Sequence, residues 1–463
     1  MSKPLAKTSL LIFTNNILLS LARIIPMSFY AKRLDLHDFG IYQNYWIQFN
    51  TLFAIAGLGF SSFLLAYRPE KLLQILTQLK VGQKTAAVSI MLVCALVFAG
   101  IQWGNTFFIF SFFFFLFNAI SLILNHFLIV FKRYAALTII NALYCVLFFG
   151  AHCWALGAGQ FSFTNLVALL SILLLGKMLV SGRMVAQAFS ALSPSDEPFH
   201  PKQFWSFWRH MYFFELSQLL IVNADKFVLS LLVEEKVSAI YQSGAFSIPL
   251  LSAMFGSVSS AALMQLATSQ KDKVSQADIL RKTSKLLASV AFPVFFFFYF
   301  FSSEFLYLLF SPEFTESVPI FKMSLLMIPF SAFNFSVLLK HYEQGKAINM
   351  GVLADVCTTG ITVWPLYYWM GLKGIPLAFV LGTAAQMTVY LVHHVRILGM
   401  GLLSFIPLRF WLISIAYYAL LCYVLHMITS SLQLSNFQSL LLAGSVVGIS
   451  VLANFSLFKR HSY

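Results

Sequence analysis

Charge is what this sequence lacks most. Only 10% of its 463 residues are Asp, Glu, Lys or Arg, against roughly 25% in a soluble domain. Acids are scarcer than bases, with 16 Asp and Glu beside 30 Lys and Arg. This scarcity excludes a soluble fold, and the high apolar content excludes disorder. There are five cysteines and no CxxC pair or metal-ligand spacing. That excludes a disulfide framework and a zinc site. Cys94, Cys145, Cys153, Cys357 and Cys422 lie in apolar runs and read as small buried hydrophobes. No P-loop, GxSxG or HExxH motif occurs, and the outer loops are short. A membrane glycosyltransferase or polymerase usually needs a sizeable charged loop, so the sequence argues for transport over catalysis and for no enzyme.

What is present is apolar residue in long runs. Hydrophobic residues make up 59% of the chain and the mean hydropathy is +0.82. A membrane span needs about 20 such residues. Fourteen runs meet that length, at 9–31, 40–66, 85–103, 106–131, 134–156, 162–185, 205–228, 238–266, 285–303, 318–340, 347–370, 374–395, 408–430 and 438–458. The net charge of +14 would suggest nucleic acid in a soluble protein. Here it reads as topology, because Lys and Arg collect in cytoplasmic loops. With the N-terminus in the cytoplasm, only Lys32, Arg33, Lys226, Lys236 and Lys373 fall on the outer side. Both termini are therefore expected in the cytoplasm, with the first run retained as a helix.

Two cytoplasmic segments look helical. Residues 69–84 place Leu72, Leu73, Leu76 and Leu79 on one face, as in an interfacial helix. Residues 269–285 form a polar, basic link between spans eight and nine. The Pro-rich stretch 187–204 separates six spans from eight. Across it runs a weak repeat. FGIYQ at 39–43 matches SAIYQ at 238–242, and Asp35, Ala54 and Gly57 match Glu234, Ala253 and Gly256 at the same offset. Phe117 and Ala119 match Phe330 and Ala332 further on. The expected fold is an all-α polytopic membrane protein of about 14 helices. Two pseudo-symmetric six-helix lobes, 1–186 and 205–399, surround a central cavity, and 400–463 adds two helices.

An ionisable group inside the membrane is expensive and usually faces a cavity or a partner. Asn16, Ser20 and Arg23 share one face of span one, ahead of Pro26. Gln43, Trp46 and Asn50 share a face of span two. Span seven carries Tyr212, Glu215, Gln218 and Asp225 on one face, and span eleven carries Asp355. Lys322 follows Pro319 on span ten and reads as a snorkelling lysine or a cavity cation. Lys177 reads as snorkelling, and Asn125 and His126 as interhelical hydrogen bonders. Tyr42 and Tyr45 read as an aromatic belt, and the runs SFFFFLF and FFFFYFF as lipid-facing bulk.

Four stretches resemble a known family. They are FYAKRLDLHDFGIYQNYW (29–46) with LFAIAGLGFSSFL (52–64), NADKFVLSLLVEEKVSAIYQSGAFSIPL (223–250), the segment 306–349, and GLKGIPLAFVLGTAAQ (371–386). Together they resemble Wzx-type polysaccharide flippases of the multidrug/oligosaccharidyl-lipid/polysaccharide (MOP) exporter superfamily. Pro376 stands where that family's second Gly is expected. The resemblance implies a bacterial inner-membrane flippase for undecaprenyl-pyrophosphate-linked oligosaccharide, working by alternating access. The substrate cavity would be lined by Arg23, Asn16, Ser20, Gln43, Asn50, Glu215, Gln218 and Lys322. Glu215, Asp225 and Asp355 are candidates for coupling to a proton or sodium gradient, with no cofactor. The implied partners are the lipid-linked substrate, membrane lipids, and the polysaccharide polymerase and chain-length regulator, with no nucleic acid. The alternatives are a multidrug exporter or peptidoglycan-precursor carrier of the same superfamily, and a membrane polymerase or ligase.

Overall fold

Short polar residues stop the chain just ahead of its apolar runs, and there helices begin. The computed structural model describes residue 22 and residues 24–57, 69–157, 162–193, 201–268, 272–333, 335–342 and 344–460. Asp35 accepts the N–H of Asp38 at 2.7 Å and opens α1, Leu36–Ala56. Next come α2 (Pro69–Gln78), α3 (Val81–Ile101), α4 (Phe108–Val130) and α5 (Tyr134–Gly157). Ser162 accepts the N–H of Asn165 ahead of α6, Phe163–Ser190. Then follow α7 (Pro201–Leu232), α8 (Glu235–Gly244) and α9 (Pro249–Thr268). Asp272 accepts two N–H groups, from Val274 and Ser275, and opens α10, Lys273–Phe300. The chain continues through α11 (Ser302–Leu309), α12 (Ser317–Leu325), α13 (Val337–His341), α14 (Gly345–Met370), α15 (Gly374–Leu398), α16 (Leu408–Ser431) and α17 (Asn436–Arg460). Ser435 and Gln438 close a reciprocal cap at the start of α17. No strand occurs among the described residues.

Eight stretches among the described residues are long and apolar enough to cross a membrane. The all-helical, polytopic class read from the sequence is the one observed. One stretch, 345–398, holds two of the expected fourteen runs; of the other five, 205–228 lies within the helix α7 and four differ. Residues 9–21, 23 and 58–66 lie outside the described residues. The run at 238–266 is divided between α8 and α9, and the run at 318–340 between α12, a 3-10 turn at Pro329–Ala332, and α13. Pro249 and Pro329 each begin the new piece, where their missing N–H costs nothing. Hydroxyls satisfy carbonyls beside the breaks. Ser284 donates to Ala332 O at 2.9 Å and Ser317 to Ile240 O at 2.7 Å.

Contacts divide the chain into two units, Met1–Ala239 and Ile240–Tyr463. In the first, α1 packs on α3 and α7, and α4 on α6. The helix α2, read as interfacial, docks one face on protein. Leu72 and Ile75 are buried with Phe127, Leu128, Leu137, Val185 and Phe204. In the second, α10 lies against α16, α17 and the turn at Pro329, and α14 pairs along its length with α15. The basic link at 269–285 is largely helix, because α10 starts at Lys273. The repeat also has a structural trace. Phe39 N–H bonds to Asp35 O, and Ser238 N–H to Glu234 O, both at 3.0 Å. Both repeat members therefore begin a helix at the same register.

Candidate functional site

In the first unit the polar side chains of α1 split into two stripes. Asn44 and Gln48, one turn apart, face other helices. Ser238 of α8 donates to Asn44 Oδ1 at 2.6 Å. Gln48 Nε2 donates to both the carbonyl and the hydroxyl of Ser230 on α7, each at 3.2 Å. Gln102, at the end of α3, donates to Gln48 Oε1 at 2.6 Å. All five side chains are buried. Gln48 thus joins α1, α3 and α7 in a low-dielectric interior, where an unmade hydrogen bond is costly. Gly40 brings the backbones closer still, since a Cβ there would overlap the carbonyl of Glu235.

This network was not among the sequence candidates, which favoured the other stripe. Of that stripe, Gln43 is buried and Asn50 is partly exposed. Trp46, between them, packs edge-on against Tyr42, Tyr45, Phe49 and Phe114. Tyr42 and Tyr45 are buried, not belt residues. The ring of Tyr45 packs on Phe98, Phe107 and Phe163. His152 donates from Nδ1 to Phe148 O at 2.8 Å, which leaves Nε2 to accept from the Tyr42 hydroxyl at 3.4 Å. Phe114 and Phe115 are also fully buried, so only part of the SFFFFLF run can face lipid.

On α7, Asp225 and Lys226 approach to 3.9 Å with side chains 9% and 17% exposed. They are partly enclosed and not a solvated cap. Glu215 and Gln218 lie on the same helix, but their side chains lie outside the described residues, as do Asn16, Ser20 and Arg23. Lys177 rests over the Tyr144 ring at 4.5 Å. His126 Nδ1 bonds within its own helix, to Leu122 O at 2.8 Å.

The second unit holds the most isolated acid. Asp355 on α14 is 3% exposed. Thr359, one turn on, donates to its Oδ1 at 3.2 Å. Its Oδ2 is buried with no hydrogen-bond partner among the described residues. Gly382 of α15 lies opposite, where any Cβ would overlap Asp355 and Thr359. Nearby, Tyr390 donates to Ile348 O and accepts from Gln386, both at 3.2 Å. A buried carboxylate with an open oxygen beside a hydroxyl has the chemistry to take a proton or a small cation. Lys322 is elsewhere, with its ammonium over the Tyr299 ring at 5.3 Å. Among the described candidates of the first unit, Gln43 and Asn50 lie on α1 and Asp225 in a pair on α7; in the second, Lys322 lies on an aromatic face and Asp355 in the α14–α15 seam.

Removing the hub should be measurable. Gln48→Leu leaves the Gln102 amide and the Ser230 hydroxyl without their partner in an apolar interior. The expected loss is about 1–2 kcal/mol, seen as a lower Tm of the detergent-purified protein. An unchanged Tm would show the network to be dispensable.

With this geometry in place, comparison with solved structures becomes informative. The chain superposes on a lipid II flippase, MurJ, in an inward closed conformation, with a TM-score of 0.70. That match covers 98% of this chain and 99% of the flippase at 12% identity. The chain has a MurJ-like transporter fold. A multidrug-resistance MATE family transporter of the MOP superfamily matches with a TM-score of 0.56, at 12% identity, covering 82% and 94% of the two chains. A MOP superfamily transporter from Pyrococcus furiosus matches at 0.52, with 11% identity and 86% and 96% coverage. No family model matches the sequence, and no curated relative does. The structural neighbours are transporters and flippases, not enzymes, and the chain is a multi-pass membrane protein.

Proposed function

We propose that the protein is a flippase for a lipid-linked oligosaccharide, carried on an undecaprenyl-pyrophosphate-type anchor. It moves the head group from the cytoplasmic to the outer leaflet of a bacterial inner membrane, by alternating access. One observation carries this reading: the full-length likeness to a lipid II flippase, a protein whose name states a lipid cargo. The composition agrees. A pyrophosphate bears about two negative charges, and carrying it through bare hydrocarbon is prohibitive. A Wzx-type role, with O-antigen or a related surface glycan as cargo, is the specific form we favour, from the stretches quoted above. The polymerase and chain-length regulator of that machinery are the expected partners.

Within this reading, Arg23 binds the pyrophosphate, and Asn16, Ser20, Gln43, Asn50, Glu215, Gln218 and Lys322 are the proposed cavity residues. Asp355, Asp225 and Glu215 are the proposed ion-coupling residues. Both termini are proposed to lie in the cytoplasm, a reading supported by the distribution of Lys and Arg.

Deletion of the gene in its host, with analysis of surface glycan and prenyl-linked intermediates, tests the reading. Loss of surface glycan with complete repeat units held at the inner leaflet is the expected result. Normal glycan with altered drug tolerance would replace the proposal with a multidrug exporter, and accumulated peptidoglycan precursor would replace the cargo. In the complemented strain, Arg23→Ala should lower transport about tenfold through loss of a charge-assisted contact. Arg23→Lys should retain part of it.

A further inference from the structure

The join between α4 and α5 places charge beside an open cavity. Phe131, Lys132 and Arg133 make the turn. Lys132 N–H bonds to Ile129 O and Arg133 N–H to Leu128 O, both at 2.9 Å. Lys132 adopts a φ of 57°, in the left-handed region where helix ends commonly use glycine. A lysine is therefore held at a position that favours the smallest residue. Next to it lies a cavity of about 810 Å³. Its apolar wall comes from Ile129 and Phe131 at the end of α4, and from Ala191 and Leu192 beyond α6. Its polar rim is Lys132, Arg133, Tyr134 and Glu70.

The rim chemistry is selective. Arg133 is steadied by one bond, from Nη1 to Met184 O at 3.2 Å. Its other guanidinium N–H groups and the Lys132 ammonium form no ion pair among the described residues. Two cations and one carboxylate give a net charge of one. That suits a singly charged phosphodiester and disfavours a dianionic phosphomonoester beside Glu70. The exposed Glu70 carboxylate accepts hydrogen bonds, so it suits a head group that also carries hydroxyls. The apolar wall suits hydrocarbon. Basic pockets between membrane helices on the cytoplasmic side are suited to anionic lipid head groups.

We propose that this cavity binds an anionic glycerophospholipid with a hydroxylated head group, such as phosphatidylglycerol. Lys132 and Arg133 hold its phosphodiester, Glu70 accepts from its hydroxyls, and the acyl chains lie on the Ile129 and Leu192 side. Its described lining includes none of the proposed transport residues, and it does not depend on the proposed cargo.

Native mass spectrometry of the full-length protein, loaded with equal phosphatidylglycerol and phosphatidylcholine, tests it. Lys132→Gly is the decisive variant, because glycine suits the left-handed turn and keeps the fold. One cation contributes about fivefold to anionic-lipid binding, so retention of phosphatidylglycerol should fall by about that factor. Arg133→Gln should act in the same direction. Lys84→Gln, which removes an exposed lysine outside the cavity, should have no effect. Equal retention of both lipids by the wild type, or unchanged retention by Lys132→Gly, would overturn the site. An equal loss in Lys84→Gln would reduce it to general surface charge and overturn it too. Soluble glycerophosphoglycerol that displaced the lipid at matched concentration would show a water-soluble phosphodiester to be the ligand, against the proposal.

Discussion

Gly40→Val should leave almost no folded protein to purify. Gly40 sits where α1 crosses the start of α8, and a side chain there would overlap the backbone carbonyl of Glu235. That backbone has little freedom to yield. Ser238 N–H is bound to Glu234 O, and the Ser238 hydroxyl to Asn44 of the same α1 helix. Moving α8 outward would therefore break the polar seam that α1 needs. Overpacking a close core costs about 1–3 kcal/mol where side chains can shift, and here the obstacle is main chain. Against a total stability of about 5–15 kcal/mol, loss of most folded material is the expected outcome. Gly40→Ala should be intermediate. Size-exclusion profiles of fluorescent fusions report the folded fraction, and a monodisperse Gly40→Val peak at wild-type yield would refute the crossing.

Asp355→Asn should leave the fold intact and remove gradient-driven transport. The substitution keeps the shape that fits beside Gly382, and Thr359 can still donate to the remaining oxygen. What it removes is the charge, and with it the ability to exchange a proton or hold a cation. An ionised carboxylate with an open oxygen is costly in this setting. Under the proposed function, that cost fits a group that changes its occupancy during transport. In proteoliposomes the variant should run at the rate seen without an imposed ion gradient, with its Tm unchanged. Retention of the gradient-dependent component would assign Asp355 to helix packing alone. Thr359→Val, which removes a donor and no charge, should weaken the coupling without abolishing it.

How far the sequence reaches can be seen at α1. Its helical nature, its start after Asp35 and its polar content are all legible, because capping residues and apolar runs are local signals. Which polar side chains make the bonds to α3, α7 and α8 is not. Gln43–Trp46–Asn50 and Asn44–Gln48–Thr51 have equally helical spacing, and only the partners Ser230, Ser238 and Gln102 decide between them. Those partners lie far away in sequence. The same holds for the tyrosines. Tyr42 and Tyr45 have belt composition, but tertiary packing surrounds them with phenylalanine. Asp355 was legible as an intramembrane acid, since a charge in an apolar run stands out. Its neighbour Gly382 was not, because a lone glycine in a helix has no partner until the helices are placed. The divided runs at 238–266 and 318–340 were hidden by hydropathy, which sees composition and not continuity. Pro249 and Pro329 were the local clue.

The divisions in the second unit bear on stiffness. In the first unit, α1 and α4 run unbroken where their repeat partners, α8 with α9 and the segment around Pro329, are cut into pieces. An unbroken helix behaves as a rod, because bending it strains every turn of its hydrogen bonds. A cut helix turns like a jointed arm, since a few dihedrals at the joint redirect one piece and leave the bonds within each piece unchanged. At the joint around Pro329 the Ala332 carbonyl is already answered by Ser284, which lowers the polar penalty there. The matched segments thus differ in mechanical character, with joints at 245–248 and around Pro329 where α1 and α4 have none.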